Sequence, residues 1–264
     1  MAWDERVLRH YALNDEAGRL WTTARGELTR RRTWDIFARF LPERGQVADV
    51  GGGPGTHASH LAGLGYEVVL VDPVPRHIDQ ASAADSHFSC QLGDARDLPL
   101  PDASFDAVLL MGPLYHLADA ADRQLALREA FRVLRPGGRL LAEVISRYAW
   151  IIDATAQDRL TDHGIWDVFD LNLRTGESNT PDRPDEVFWA YFHRIEEVAP
   201  EVEQAGFVHE RLLAVEGFAT SLGNLKELLQ EPDHLLRAIR LIESEPSMLG
   251  VSAHLMAVAA KPVD

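Results

Sequence analysis

A glycine-rich run, Gly51-Gly52-Gly53-Pro54-Gly55, constrains the fold of this chain more than any other feature. It follows a short apolar segment at residues 47–50 and precedes a helix-like segment at 56–64. Glycine has no Cβ, so such a turn lets backbone N–H groups and a helix N-terminus approach a ligand. However, Thr56 stands where the dinucleotide-binding fingerprint requires glycine or alanine. Taken alone, the run is equally consistent with a plain tight turn.

The rest of the sequence alternates between strand-like and helix-like segments. After the strand at 47–50 we predict six more strands, at residues 66–71, 87–90, 105–111, 139–145, 207–215 and 255–260. The clearest helix places Leu127, Ala130, Phe131 and Leu134 on one face, and we expect Pro136-Gly137-Gly138 to stop it. Strands separated by helices predict a doubly wound α/β fold with a mostly parallel, seven-stranded sheet.

Composition restricts the classes of partner. The formal net charge of -15 at pH 7 would repel nucleic acids and anionic membrane surfaces. No segment approaches the ~18 apolar residues of a membrane span, and residues 1–6 lack the features of a secretory signal. The single cysteine, Cys90, excludes an internal disulfide and a cysteine-cluster metal site. We therefore expect a cytoplasmic protein with no nucleic-acid or membrane partner.

Carboxylates follow the second and third predicted strands. Asp72, 21 residues after Gly51, is placed to accept hydrogen bonds from ribose hydroxyls. The alternative for Asp72 is a solvated loop carboxylate. Asp94 lies in Gly93-Asp94-Ala95, where its carboxylate could accept from an adenine amino group and the Ala95 N–H could serve the adjacent ring nitrogen. Three such loops in the right order are much harder to obtain by chance than one.

Together these segments resemble the ordered motifs of class I methyltransferases that depend on S-adenosylmethionine (SAM). The resemblance covers residues 46–146 and is carried by Asp49-Val50-Gly51-Gly52-Gly53-Pro54-Gly55, Val71-Asp72, Gly93-Asp94-Ala95, Phe105-Asp106-Ala107-Val108 and Arg132-Val133-Leu134-Arg135-Pro136-Gly137-Gly138. A narrower resemblance, to a bacterial subgroup of small-molecule methyltransferases, is carried by residues 111–117, 145–148, 190–194 and 215–217.

The resemblance implies a Rossmann-like class I methyltransferase fold, SAM as the cofactor, and a set of cofactor-binding residues. Gly51, Gly52 and Gly53 would approach the methionine part of SAM, and Asp72 would hold the ribose. Pro73 and Val74 would pack on the adenine face, while Asp94 and Ala95 read its edge. The backbone around Met111 would accept from the SAM ammonium. Tyr11 resembles a tyrosine that closes over the cofactor carboxylate, with a core tyrosine as the alternative.

Methyl transfer is an in-line displacement that requires few catalytic side chains, but an O–H or N–H nucleophile must also lose a proton. Histidine is suited to that task because its pKa lies near neutrality. His116, just beyond the strand that carries Met111, is the first candidate for a general base, and His193 is the second. A loop histidine bonded to backbone is the alternative for His116.

Residues 147–193 are rich in aromatic side chains, which would suit a flat acceptor pocket or the small core of a cap. They include Trp150, Phe169 and Phe188. The residues that we expect to contact the acceptor are Tyr115, Arg147, Trp166, Trp189 and Tyr191. For Arg147 the alternatives are a solvated face and an acidic partner on the same protein. His57 and His60 lie three apart on a predicted helix without a third ligand, so we interpret them as helix-face residues and expect no metal site.

The predicted organisation has four regions: an N-terminal helical lid (1–41), a SAM-binding core (42–146), a lid and acceptor-binding insertion (147–193), and a C-terminal part of the sheet (194–264) with a helical insertion at 217–246. The predicted function is methyl transfer from SAM to an O, N or C nucleophile of a small molecule, such as a specialised metabolite. The alternatives are a non-catalytic SAM-binding module and an NAD(P)-dependent oxidoreductase. The absence of the third fingerprint glycine argues against the oxidoreductase. Neither the acceptor nor the oligomeric state follows from the sequence.

Overall fold

The computed structural model describes residues 5–14, 16–83, 87–178 and 189–263. Its strands are Gln46–Val50 (β1), Glu67–Asp72 (β2), Ser89–Leu92 (β3), Phe105–Leu110 (β4), Leu134–Ser146 (β5), Phe192–His193 (β6), Val208–Ala214 (β7) and His254–Ala260 (β8).

Helices precede the sheet, connect its strands and follow β7. They are Glu5–Leu13 (α1), Glu16–Arg19 (α2), Ala24–Phe40 (α3), Thr56–Gly63 (α4), Pro75–Ala83 (α5), Pro113–His116 (α6), Ala120–Val133 (α7), Ala149–Ala156 (α8), Ile165–Thr175 (α9), Ile195–Gln204 (α10), Leu225–Leu228 (α11), Pro232–Ile242 (α12) and Pro246–Leu249 (α13), with a 3₁₀ helix at Gly217–Ser221. Within the described ranges no helix is both long enough and apolar enough to cross a membrane.

The strands form one sheet in the order β3-β2-β1-β4-β5-β8-β7. Strand β8 runs antiparallel to β5 and β7, while the other pairings are parallel. Val50 pairs with both Val71 and Leu110, so β1, β2 and β4 end at the same edge of the sheet. In an open α/β sheet this is the edge at which ligands bind.

A hydrophobic layer covers each face of the sheet. On one face, Leu127 of α7 and Val202 of α10 pack against the strands. On the other, Ile36 and Phe37 of α3 and Leu61 of α4 do so. This arrangement confirms the predicted doubly wound fold with a mostly parallel sheet.

Several predicted element boundaries differ from those in the structure. The third strand lies at Ser89–Leu92 rather than 87–90, and the two-residue strand β6, absent from the prediction, pairs with the end of β5. Helix α7 ends at Val133, before the Pro-Gly-Gly segment that we expected to stop it. That segment lies inside β5, where the pairing with β4 shifts register between Phe105 and Ala107. Gly137, with φ +79°, donates to the Lys261 carbonyl at 2.9 Å and so anchors this irregularity.

A buried ion network fixes α3 to the C-terminal part of the chain. Arg32 of α3 is fully buried; its Nη2 donates to Glu243 Oε2 at 2.6 Å and its Nε donates to the Val215 carbonyl at 2.9 Å. Arg32 also pairs with Asp35, and Arg39 pairs with Glu243. Removing the central guanidinium would leave buried carboxylates short of a partner.

We expect Arg32→Met to lower the free energy of unfolding by about 3–5 kcal/mol, because breaking a buried ion pair from one side leaves an uncompensated charge. Urea denaturation monitored by circular dichroism measures this loss. Arg174→Met is the control, since Arg174 pairs with Asp170 at 3.3 Å on an exposed face of α9, where such pairs contribute about 0.3–0.5 kcal/mol. Equal losses in the two variants would contradict this account.

Candidate functional site

The glycine turn packs closely on the floor of the sheet. Gly51 and Gly53 adopt left-handed conformations, with φ +73° and +57°. A Cβ on Gly52 would lie 2.7 Å from Asp49 Oδ2, so the backbone at Gly52 can approach the buried Asp49 only without a side chain. Burial, and then the nearby charge of Asp72, raise the pKa of Asp49 to about 7.

Asp72 connects the glycine turn to the loop after β2. Its Oδ2 accepts from the Gly53 N–H at 2.9 Å, and its Oδ1 accepts from the Val74 N–H at 2.9 Å. The ring of His77, in the first turn of α5, lies 3.0 Å from the same Oδ1. An ionised carboxylate has about four lone-pair sites, so these three contacts leave capacity for a ligand hydrogen bond.

A cleft enclosing about 650 Å³, including the part open to solvent, lies at the carboxyl edge of the sheet. The structure brings ten of the predicted site residues to its walls: Tyr11, Gly51, Gly52, Gly53, Asp72, Pro73, Val74, Met111, Tyr115 and His116.

The cleft also contains residues that the sequence analysis missed. Helix α2 contributes Glu16 and Arg19, and Leu20 lies just after this helix. Arg19 Nε donates to Glu16 Oε1 at 2.6 Å. His77 could have been found from its spacing, because a helix that begins three residues after Asp72 places its first turn beside that carboxylate. No periodic pattern marks α2, which is only four residues long.

A hydrogen-bonded chain joins helix α1 to the cleft. The Tyr11 hydroxyl lies 2.6 Å from His116 Nε2, and His116 Nδ1 lies 3.4 Å from the Trp189 carbonyl. A carbonyl oxygen can only accept, so Nδ1 carries the hydrogen and Tyr11 donates to Nε2. The bond closes α1 over the cleft.

The structure corrects the pKa expected for His116. This residue lies in helix α6 and is buried, and burial lowers its pKa from the ordinary value to about 3. The sequence analysis had expected a value near neutrality. His116 is therefore neutral throughout the physiological range, and its role as a general base stays a prediction.

The second predicted base lies outside the cleft. His193 is buried in β6, and its Nε2 lies 2.9 Å from Glu201 Oε2 of α10. Burial lowers the pKa of His193, against the opposite effect of Glu201. Its position connects β6 to α10 and does not reach the residues around Met111 that line the cleft.

Arg147 and Tyr191 also lie where β6 meets α10. Arg147 is 2% exposed and donates from Nε to the Phe192 carbonyl at 2.6 Å. Its Nη2 lies 3.2 Å from the Tyr191 hydroxyl, which itself donates to Glu197 Oε2 at 3.0 Å. Of the alternatives considered for Arg147, the structure shows an acidic partner on the same protein, since Nη2 also lies 3.2 Å from Glu197 Oε2.

The remaining predicted residues lie away from the cleft walls. Asp94 Oδ2 accepts from Arg96 Nη2 at 2.7 Å, and Ala95 is buried beside it. Trp166 is 65% exposed on α9, and Trp189 reaches the site through its carbonyl contact with His116. Phe188 lies outside the described residues.

His57 and His60 of α4 both pack against Trp34 of α3. Trp34 Nε1 donates to His57 Nδ1 at 3.2 Å, and the His60 ring stacks on Trp34 with centroids 3.8 Å apart. Burial lowers the pKa of His57 to about 3.

A second polar cluster lies in the layer between the sheet and α3. Glu216 Oε1 accepts from Thr29 Oγ1 at 2.7 Å and lies 2.7 Å from His254 Nδ1. Glu216 Oε2 accepts from the His254 N–H at 3.0 Å and from Ser252 Oγ at 3.2 Å. Burial alone would lower the pKa of His254, but the charge of Glu216 raises it to about 9. Burial alone would raise the pKa of Glu216, but His254 and Thr29 lower it to about 2.

The comparison with known protein families agrees with this geometry. The family described as "Methyltransferase domain" matches residues 48–142, which run from β1 to the middle of β5 and include the glycine turn, Asp72 and Met111. Residues 48–142 form a methyltransferase domain of the SAM-dependent class. Its cofactor is SAM.

Two curated relatives and one solved structure resemble this chain. An uncharacterised methyltransferase of Mycobacterium tuberculosis is 43% identical over 36% of this chain and 37% of its own length. The 27-O-demethylrifamycin SV methyltransferase of Amycolatopsis mediterranei is 37% identical over 52% of this chain and 50% of its own length. The chain thus aligns with half or less of each relative. The crystal structure of a SAM-dependent methyltransferase from Methanosarcina mazei covers 87% of this chain and 98% of its own, with a TM-score of 0.61 and 18% identity, and shares the fold.

The Glu216–His254 pair should make the stability of the protein depend on pH. The raised pKa of His254 means that its contribution is fully present below about pH 6.5 and is lost as the pH rises through about 9. The lowered pKa of Glu216 means that its contribution is fully present above about pH 4.5 and is lost as the pH falls through about 2. Stabilisation by the pair is therefore greatest between about pH 4.5 and 6.5.

We accordingly expect the stability difference between wild type and His254→Gln to be largest near pH 6 and to shrink towards pH 10. Urea unfolding across this range measures it. His234→Gln, at an exposed position on α12, is the control and should show no such trend. A difference that does not change with pH would count against an ionised pair.

We expect Tyr11→Phe to loosen helix α1, because it removes the hydroxyl that donates to His116 and keeps the ring. A hydrogen bond of this kind contributes about 1 kcal/mol, which corresponds to roughly fivefold faster amide exchange. Hydrogen–deuterium exchange of residues 5–14 measures the change. Tyr66→Phe removes a comparable hydroxyl, bonded to the Pro42 carbonyl at 2.6 Å, and should leave α1 unaffected. Unchanged exchange in Tyr11→Phe would show that other contacts hold α1.

Proposed function

We propose that this chain transfers the methyl group of SAM to an O, N or C nucleophile of a small molecule. The observation that carries the proposal is the cleft at the carboxyl edge of the sheet, where the buried Asp72 carboxylate, the glycine turn and Met111 come together. These elements come from three adjacent strands, as a SAM site of this class requires.

The residues present fit the cofactor. A Cβ on Gly53 would meet nothing closer than Glu16 Cγ at 3.9 Å and His77 Nδ1 at 4.0 Å, so the space above this glycine is open to a ligand. Gly51 to Gly53 would hold the methionine part, Asp72 the ribose, and Pro73 with Val74 the adenine face. The roles of Asp94 and Ala95 at the adenine edge require Asp94 to bind the ligand in addition to Arg96.

SAM supplies an electrophilic methyl group on a sulfonium, and the protein has to orient the two reactants and exclude water. Tyr11 of α1 and Leu20 after α2 line the cleft. In this proposal the N-terminal helices α1 and α2 are the lid that covers the bound reactants. In this proposal Tyr115 and Trp189 contribute to the acceptor side of the cleft. His116 follows Tyr115 in the chain and contacts both the Trp189 carbonyl and Tyr11 of the lid. Arg147, Tyr191 and His193 would support that side through β6.

Two observations support a small-molecule acceptor: the net charge of this chain and the name of one curated relative. The net charge of -15 disfavours polyanionic substrates. The Amycolatopsis relative is named for a rifamycin derivative, which is a small molecule. The acceptor atom of this chain is left to experiment.

Methyl transfer requires turnover, which separates it from the alternatives. Incubation with SAM and a panel of phenols, amines and activated carbon acids should yield S-adenosylhomocysteine with at least one member. SAM binding without turnover across the panel would favour a non-catalytic binding module. Binding of NAD in preference to SAM would favour an oxidoreductase.

We expect Asp72→Ala to weaken SAM binding at least tenfold, because hydrogen bonds to a charged group contribute roughly 1.5–3 kcal/mol. Isothermal titration calorimetry measures the dissociation constant, and thermal unfolding checks that the variant is folded, since Asp72 also holds Gly53 and Val74. Asp79→Ala makes the same change of charge at an exposed position on α5 and should bind SAM like the wild type. Unchanged affinity in folded Asp72→Ala would remove Asp72 from the site.

A further inference from the structure

One buried carboxyl group beside the cleft has no assigned role. Glu143 lies in β5 and is 5% exposed, and its Oε1 is fully buried with no hydrogen-bond partner among the described residues. Burying an unpartnered carboxyl oxygen costs stability, so such a group needs either a ligand or an ionisable role to account for it.

Strand register places Glu143 beside Met111, a residue of the cleft wall. Leu110 of β4 pairs with Ala142 of β5, so the next residues, Met111 and Glu143, stand side by side on the same face of the sheet. Met111 lines the cleft. Glu143 therefore lies one strand away from the position that the sulfonium end of SAM would occupy.

Tyr115 confirms which side of β5 faces the cleft. Its ring packs with Ile145, two residues after Glu143 and hence on the same face, while its hydroxyl donates to the Met111 carbonyl at 3.0 Å. Tyr115 thus extends over the face that carries Glu143, and it also lines the cleft. The carboxyl group thus lies on the sheet face over which Tyr115 packs.

Charged groups from each neighbouring element act on Glu143. Burial raises its pKa; His254 of β8 and Arg19 of α2 oppose this effect, whereas Glu216 and Glu16 add to it. Glu143 and Tyr115 also influence each other's ionisation, since Glu143 contributes to the raised pKa of Tyr115. Glu16, Arg19 and Tyr115 line the cleft, so part of the charge around Glu143 belongs to the cleft, whereas His254 and Glu216 lie outside its lining.

We propose that Glu143 is the residue that accepts the proton of the methyl acceptor's O–H or N–H group. The inference rests on the proposed methyl transfer and replaces His116 in this role. In the reaction, the bond from sulfur to the methyl carbon breaks and a bond from the acceptor O or N to that carbon forms. The acceptor proton moves to the Glu143 carboxylate, sulfur keeps the electron pair and becomes a neutral thioether, and Glu143 later releases the proton to solvent.

The geometry can be probed without knowledge of the acceptor. Sinefungin is an analogue of S-adenosylhomocysteine in which a carbon bearing an amine replaces the sulfur, so its ammonium occupies the place of the transferred methyl group. If Glu143 faces that place, the wild type should bind sinefungin more tightly than S-adenosylhomocysteine. Glu143→Gln should lower this preference about tenfold or more and leave S-adenosylhomocysteine affinity unchanged.

The pH dependence gives a second readout. The wild-type preference for sinefungin should rise with pH as Glu143 ionises, at a higher pH than for an ordinary glutamate because burial raises its pKa, and the rise should disappear in Glu143→Gln. Glu203→Gln changes the net charge equally at an exposed position on α10 and should behave like the wild type. Glu143→Met is the second variant in case the amide disturbs the fold, and it should lose the preference to the same extent.

Each outcome bears on a separate claim. An unchanged preference for sinefungin in folded Glu143→Gln or Glu143→Met would overturn the role of Glu143 while leaving SAM binding intact. Failure of the wild type to bind either S-adenosylhomocysteine or sinefungin would instead overturn the proposed function. With any acceptor that turns over, kcat of Glu143→Gln should fall by about 10²–10⁴ with KM for SAM unchanged, and His116→Gln should keep the same pH profile as the wild type.

Discussion

The three hydrogen-bonded contacts of the Asp72 carboxylate hold the cofactor side of the cleft together. Asp72 joins the Gly53 N–H from the turn after β1, the Val74 N–H from the loop after β2 and the ring of His77 in α5. Burying a carboxylate is unfavourable unless it is paired and hydrogen-bonded, so the two loops can close on each other only because these donors converge. The same negative charge acts on Asp49 beneath the turn and contributes to its raised pKa.

The core of the fold and the cofactor side of the site could be predicted because their signals are local. Apolar runs of strand length alternate with helical periodicity, and a glycine-rich turn has few conformational alternatives. Asp72 follows the second strand at a fixed distance from the turn, so its neighbourhood follows from the order of the strands. The boundaries of β3 and β5 were less accurate, because the Pro-Gly-Gly segment that usually ends a helix is accommodated here by an irregularity in pairing with β4.

The acceptor side could not be predicted in the same way, because it depends on contacts between distant segments. Helix α2 has no periodic pattern, yet it brings Arg19 into the cleft. The sequence leaves Arg147 open between an acceptor contact, a solvated face and an acidic partner, whereas the structure buries it against β6 and pairs it with Glu197. The sequence gives His116 the ordinary pKa of its residue type, but burial lowers that pKa to about 3, and burial is a tertiary property.

The ionisation of the buried carboxyl groups separates structural from functional positions. Glu201 and Glu216 have histidine partners that lower their pKa, in addition to hydrogen bonds that satisfy their oxygens. These groups join β6 to α10 and β8 to the segment after β7. Burial instead raises the pKa of Asp49 and of Glu143.

Asp49 and Glu143 flank the line from the glycine turn to Met111, one beneath Gly52 and the other beside Met111 in the next strand. A protein gains no stability from leaving two such groups incompletely paired, and each unsatisfied buried group costs about 1–3 kcal/mol. A cationic ligand bound between them would supply the missing charge. After methyl transfer the sulfonium becomes a neutral thioether, so this electrostatic attraction would favour the substrate over the product and assist product release.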